Sequence, residues 1–115
     1  MYCRQQLADF NAVVPLLDEH DTKIVALSAD DRDTTQSMVD GLRLGGYPVL
    51  HSADTERVHE LTGAIIEPDP GFLHATGFVL RPDGTVAHAV YATGPIGRLT
   101  PVDTLRSIES LQRWG

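Results

Sequence analysis

Cys3 is the only cysteine in the chain, and Arg4 follows it. Apolar residues at Leu7, Phe10, Val13, Val14 and Leu17 form one face of a helix over residues 3–19, so both lie near its start. A thiol is a poor nucleophile and a thiolate a good one. A helix N-terminus favours the thiolate through its free N–H groups and partial positive charge. Arg4 adds a fixed positive charge beside it. A lone thiol in that setting can be oxidised to sulfenic acid, capped by a small thiol, or bridged to a second copy. The plainer alternative is an inert cysteine near a terminus.

Other chemistry-bearing residues are sparser. Arg98 sits in a Gly/Pro loop over residues 93–100, where a guanidinium could hold an anion or a carboxylate. Its plainer role is a salt-bridging or capping residue before the last helix, and that reading is favoured. His20, His51, His59, His74 and His88 show no paired metal-ligand spacing, so no metal site is expected. Asp30, Asp31 and Asp33 lack the spacing and glycine of a calcium loop and read as a solvated turn and cap. Gly94-Pro95-Ile96-Gly97 is not followed by the Lys-Ser/Thr of a phosphate loop. No Gly-x-Ser-x-Gly elbow is present. No cofactor is expected.

Composition narrows the class. A chain of 115 residues is one domain, residues 1–115. Its net charge of -7, with Lys23 the only lysine, repels phosphate backbones and gives no attraction to anionic lipid. No apolar run reaches the length of a membrane span, and the N-terminus lacks signal-peptide order. One cysteine excludes an internal disulfide and suits a reducing compartment, so a cytoplasmic protein is expected.

The elements that must position these residues alternate. Pro15 should kink or interrupt the first helix. Residues 23–28 form a nearly continuous apolar run, which predicts a buried, parallel strand. Asp33 is expected to cap a helix from Thr34, with Met38, Val39 and Leu42 as its apolar face and Gly45-Gly46 as its end. Residues 47–51 predict a second strand, which Pro48 places at an edge or a strand start. Asp54 or Thr55 should cap a short helix closed by Gly63. Residues 64–76, with Pro68, Pro70 and Gly71, read mainly as loop, with a brief strand at 64–66. Two apolar runs, 77–81 and 85–91, flank Pro82-Asp83-Gly84 and predict a hairpin. Thr100 should cap a final helix starting at Pro101, with Val102, Leu105, Ile108 and Leu111 as its stripe. This order implies an α/β sandwich with a mixed sheet.

Tyr2-Cys3-Arg4-Gln5-Gln6-Leu7 matches the second half of the segment Trp-Cys-Pro-Tyr-Cys-Arg-x-Gln-Leu. The strand Ile24-Val25-Ala26-Leu27-Ser28-Ala29-Asp30, the segment Tyr47-Pro48-Val49-Leu50 with Asp54 beyond it, the hairpin from Gly77 to Val86, and the loop from Gly94 to Pro101 follow in order. Together they resemble the peroxiredoxin-like branch of the thioredoxin superfamily, the alkyl hydroperoxide reductase/thiol-specific antioxidant type. The resemblance covers nearly the whole chain. It implies a thioredoxin-like sandwich lacking its first strand or strands. It also implies that Cys3 holds the second, resolving position of a Cys-x-x-Cys motif. The first, peroxide-attacking cysteine would precede Met1. His74-Ala75-Thr76 occupies the stretch where the family carries an arginine.

The resemblance therefore implies a thiol-dependent redox protein, reducing peroxides or disulfides and impaired in this chain by the absent first cysteine. Cys3 is its candidate catalytic residue, and Tyr2, Arg4, Thr76 and Arg98 its candidate substrate contacts. A small thiol or a thioredoxin-type protein would be the reductant. Two other readings stand beside it: a degenerate, non-catalytic module that binds or dimerises, and a small-molecule site near Cys3, Thr76 and Arg98. In the family topology the absent strand lies between the strands at 23–28 and 77–81. Each backbone group left unpaired there costs about 1–3 kcal/mol, against a total stability of roughly 5–15 kcal/mol. The two strands should close up and pair, or a second chain should complete the sheet. A homodimer is expected.

Overall fold

Pro15 divides the first helical segment, although not at its own position. The computed structural model describes residues 2–67, 72–91 and 98–114, with the backbone alone at positions 2, 3, 67, 72, 73 and 114. Helix α1 runs Tyr2–Ala12 and α2 runs Val14–Glu19, with the break at Val13. Pro15 lies in the first turn of α2, where its missing N–H would have had no intrahelical partner. The chain stays close to helical through the break, since Val13 N–H donates to the Phe10 carbonyl at 3.1 Å.

Strand β1 is Ala26–Leu27 and β2 is Val49–Leu50. They pair in parallel, with Ala26 opposite Val49 and Leu27 opposite Leu50. Both are shorter than the apolar runs that predict them. The pairing is extended by Ala26 N–H to the Pro48 carbonyl (3.0 Å) and Ser28 N–H to the Leu50 carbonyl (2.8 Å).

Helix α3 between them, Arg32–Leu42, corrects two sequence expectations. Its N-cap is Asp31, not Asp33, and the Asp31 carboxylate accepts from Thr34 N–H at 2.7 Å. Asp33 is instead in the first turn, where its charge complements the helix dipole. The helix ends at Arg43, which adopts the left-handed conformation (φ 54°), rather than at Gly45-Gly46. The turn tucks Leu44 into the interior, and that burial offsets the strain of a non-glycine residue there. Gly46 has a different role. A Cβ there would lie 2.8 Å from both Asn11 Oδ1 and Val14 Cγ2, so any other residue would have to displace one of these side chains at the α1–α2 break.

Helix α4, Thr55–Thr62, is capped by Asp54 and closed by Gly63 at φ 77°, as its sequence predicts. Residues 64–76 are more ordered than a loop. Strand β3, Ile66–Glu67, pairs antiparallel with β4, Phe72–Leu73. The proline and glycine signals at 68–71 lie outside the described residues. Strands β5, Thr76–Leu80, and β6, Val86–Tyr91, form the expected hairpin. Gly84 takes φ 88°, and Asp83 Oδ1 accepts from Thr85 N–H at 2.9 Å to close the turn. Helix α5, Pro101–Trp114, starts at the expected Thr100, whose Oγ1 accepts from Asp103 N–H at 3.3 Å. Val102 departs from the expected stripe. It is exposed, while Ile108 is buried and Leu105 and Leu111 pack against the core.

The core forms where α1, α2 and α5 meet the strands. Phe10, Leu17, Tyr47, Val79 and Ile108 make its centre, with Ala26 and Val49 against them. Leu17 is only 1% exposed, and its burial contributes about 1.5–3 kcal/mol. The strands form three two-stranded ladders, β1–β2, β3–β4 and β5–β6, with no ladder hydrogen bond joining them among the described residues. Thus β1 and β5 do not close up and pair, although residues of both pack on the same core.

Candidate functional site

The helix carrying Cys3 is anchored to two distant parts of the chain. Gln6 Nε2 donates to the Leu99 carbonyl at 2.9 Å. The Tyr47 hydroxyl donates to the Leu7 carbonyl at 2.6 Å. Burial pushes the Tyr47 phenol up to about 12, so it is a neutral donor across the physiological range. Leu99 is held against β5 in turn. A Cβ on Gly77 would lie 3.0 Å from Leu99 Cβ and 3.1 Å from its Cδ2. Gly77 thus lies in tight contact with Leu99, which would have to shift by a few tenths of an ångström to admit a side chain there.

These contacts shape a cleft of about 190 Å³ lined by Gln5, Gln6, Asp9, Arg98, Leu99, Thr100 and Pro101. Cys3 lies on the turn of α1 preceding Gln6, three residues away. The cleft thus joins Gln5, Gln6 and Asp9 of α1 to Arg98. The side chains of Tyr2 and Cys3 lie outside the described residues. Arg4 is exposed and does not line the cleft. Thr76 is also outside it, with its hydroxyl donating to the His74 carbonyl at 3.2 Å. The Gly94-Pro95-Ile96-Gly97 part of the Arg98 loop lies outside the described residues.

Sequence reasoning missed Gln5, Gln6, Asp9 and Leu99. The spacing of Gln6 from Cys3 was the available signal for one of them. Nothing local could place Leu99 against Gln6. The cleft's polar side chains satisfy one another in part, with Gln5 Nε2 donating to Asp9 Oδ1 at 2.7 Å. A second cleft of about 270 Å³ is lined by other residues, among them Leu17, Asp18, Lys23, Val25 and Pro48. At its edge Lys23 Nζ donates to Asp18 Oδ1 at 2.7 Å, and this bond holds the lysine above its ordinary pKa. Among the described residues, no three His, Cys, Asp or Glu side chains converge as a metal site would need.

Comparison with known proteins gives a consistent picture. The family model described as the AhpC/TSA family matches residues 1–89. No curated protein matches the chain. The crystal structure of Enterococcus faecalis AhpC is similar at 19% identity and a TM-score of 0.83, over 98% of this chain and 68% of that one. Mycobacterium tuberculosis AhpC is similar at 19% identity and a TM-score of 0.78, over 96% of this chain. This chain spans only 61% of the Mycobacterium protein's length.

Proposed function

The chain belongs to the AhpC/TSA family and has its thioredoxin-like α/β fold, and on that premise we propose that it is a thiol-dependent redox protein acting through Cys3. One observation carries the reading. Cys3 lies in the N-terminal turn of α1, beside Arg4 and one turn before Gln6, whose bond to Leu99 fixes the helix against the Arg98 loop. Helix N–H groups and the neighbouring Arg4 favour the thiolate there. A thiolate that attacks a hydroperoxide becomes a sulfenic acid and releases water or an alcohol. A small thiol then condenses with the sulfenic acid and releases water. A second thiol, or a thioredoxin-type protein, frees Cys3 and carries the disulfide away. The lone cysteine suits a reducing compartment, and we place the protein in the cytoplasm.

Hydroperoxide consumption with a small-thiol reductant tests this reading, with Cys3→Ser as the comparison. Consumption that disappears in Cys3→Ser supports it. Equal rates in the two proteins sink it.

A second reading is favoured by the unjoined ladders. Two-stranded ladders are marginal in water, and their exposed edges and apolar faces invite a partner. On this reading the chain is a non-catalytic module that self-associates as a homodimer. Self-association by itself would leave the first reading standing, because the apolar strand residues and Cys3 belong to different elements.

A further inference from the structure

The cleft between α1 and the start of α5 carries opposite charges on its two walls. The α1 wall presents the exposed carboxylate of Asp9. Its Oδ1 accepts from Gln5 Nε2 at 2.7 Å, and a carboxylate has a second oxygen with acceptor capacity of its own. The other wall presents the half-buried Arg98, followed by Thr100 and by Pro101, where α5 begins. A helix start carries partial positive charge, which adds to that of the guanidinium. Asp103, in the same first turn, accepts from the Thr100 hydroxyl at 3.0 Å and offsets part of that charge. Cys3 stands six residues before Asp9 on α1, so their backbones are about 9 Å apart along the helix axis.

We propose that this cleft selects the reductant of Cys3, and that the reductant is a short peptide thiol bearing both an ammonium and a carboxylate; the proposal rests on the redox reading above. Asp9 accepts the ammonium, and Arg98 pairs with the carboxylate through its planar fork. Charge on both walls disfavours simpler thiols. A ligand with only an anionic group meets repulsion from Asp9, and one with only a cationic group meets repulsion from Arg98. Length separates an amino acid from a peptide. One extended residue spans at most about 3.6 Å and three span about 10–11 Å, so only a peptide covers the distance from Cys3 to Asp9. The peptide thiolate attacks the sulfur of the sulfenic acid that peroxide forms on Cys3. The S–O bond breaks, an S–S bond forms, and hydroxide leaves as water with the proton of the thiol. A second peptide thiolate then attacks the peptide sulfur of this mixed disulfide, which releases the peptide disulfide and returns Cys3 as thiolate. The two thiols supply the two electrons that the peroxide takes.

Peroxide consumption by the full chain, with peroxide in excess, tests the assignment. The reductants are the tripeptide glycyl-cysteinyl-glycine, its N-acetylated form, its C-amidated form and 2-mercaptoethanol. Each second-order rate constant is divided by that of the same thiol with a small disulfide, which removes differences in intrinsic nucleophilicity. The free tripeptide is expected to exceed 2-mercaptoethanol and each blocked peptide by about two- to fivefold, the size of an exposed charge pair. Asp9→Asn should abolish the penalty for acetylation and Arg98→Gln the penalty for amidation, as coupled partners require. Circular dichroism checks that each variant folds, and if one does not, the blocked peptides on the wild type decide. Equal normalised rates for free and blocked peptides overturn the cleft and leave the redox reading standing. Sensitivity to one end alone overturns the paired recognition, as do penalties that the variants retain. If no thiol supports consumption above that of Cys3→Ser, the cleft assignment and the redox reading fall together.

Discussion

Gln6 and Leu99 stand 93 residues apart, and the Gln6 side-chain amide donates to the Leu99 carbonyl at 2.9 Å. That bond ties the helix bearing Cys3 to the segment bearing Arg98. Replacing Gln6 with Ala removes a part-buried bond and leaves a carbonyl without its donor. A loss of about 0.5–1.5 kcal/mol in urea unfolding is expected. Cys3 should also react with a disulfide reagent at a changed rate, because its helix is less firmly held. Unchanged stability and rate would mean that the bond positions nothing.

Gly46 and Gly41 should respond in opposite directions to the same substitution. A Cβ at Gly46 meets Asn11 Oδ1 and Val14 Cγ2 at 2.8 Å, and Asn11 Oδ1 also accepts the Gly46 N–H at 2.9 Å. Gly46→Ala is expected to destabilise by about 1–3 kcal/mol. Gly41 is inside α3 with nothing within 4 Å of its Cβ position. Gly41→Ala should stabilise by about 0.5–1 kcal/mol through helix propensity. Thermal melts of the two variants, measured against the wild type, check both signs.

Tyr47 should give a pH signature. Its phenol is raised from 10.0 to about 12 by burial, so the folded state holds the proton more tightly than the unfolded state. Its stabilising contribution is complete below pH 10 and is lost as pH rises through about 12. Tyr47→Phe removes that dependence together with the bond to Leu7. Urea unfolding on a pH series should show a lower plateau for the variant and a shallower alkaline decline. Parallel curves for the two proteins would count against a buried phenol.

Asp31, rather than Asp33, should control α3. Its carboxyl is held below the ordinary range chiefly by the Thr34 backbone N–H. The cap therefore contributes above the ordinary aspartate pKa of 3.8 and is lost as pH falls below it. Asp31→Ala should lower the melting temperature at neutral pH more than Asp33→Ala does. The difference should fade in acid. A larger loss from Asp33→Ala would restore the cap first read from the sequence.

Local chemistry was legible in the residues themselves. Asp54 and Gly63 bracket α4, Thr100 caps α5, and Pro82-Asp83-Gly84 turns the hairpin. Each works through partners within a few residues, so short sequence windows contain the whole interaction. The same windows misplaced the α3 cap because Asp31 and Asp33 are equivalent as types, and only the course of the chain decides which carboxylate meets Thr34. They also missed β4 and set the brief strand at 64–66 rather than Ile66–Glu67, because two residues are too short for alternation to register.

The sequence by itself determined the order of the elements, most of their caps and turns, the family, and the placement of Cys3 at a helix start. Tertiary structure decided that Gln6 meets Leu99, that Gly46 and Gly77 are packing positions, that Thr76 stands outside the cleft, and that the ladders stay separate. Those outcomes depend on contacts between segments tens of residues apart. Such contacts follow from how helices and strands share one small core, and no stretch of residues carries both sides of them.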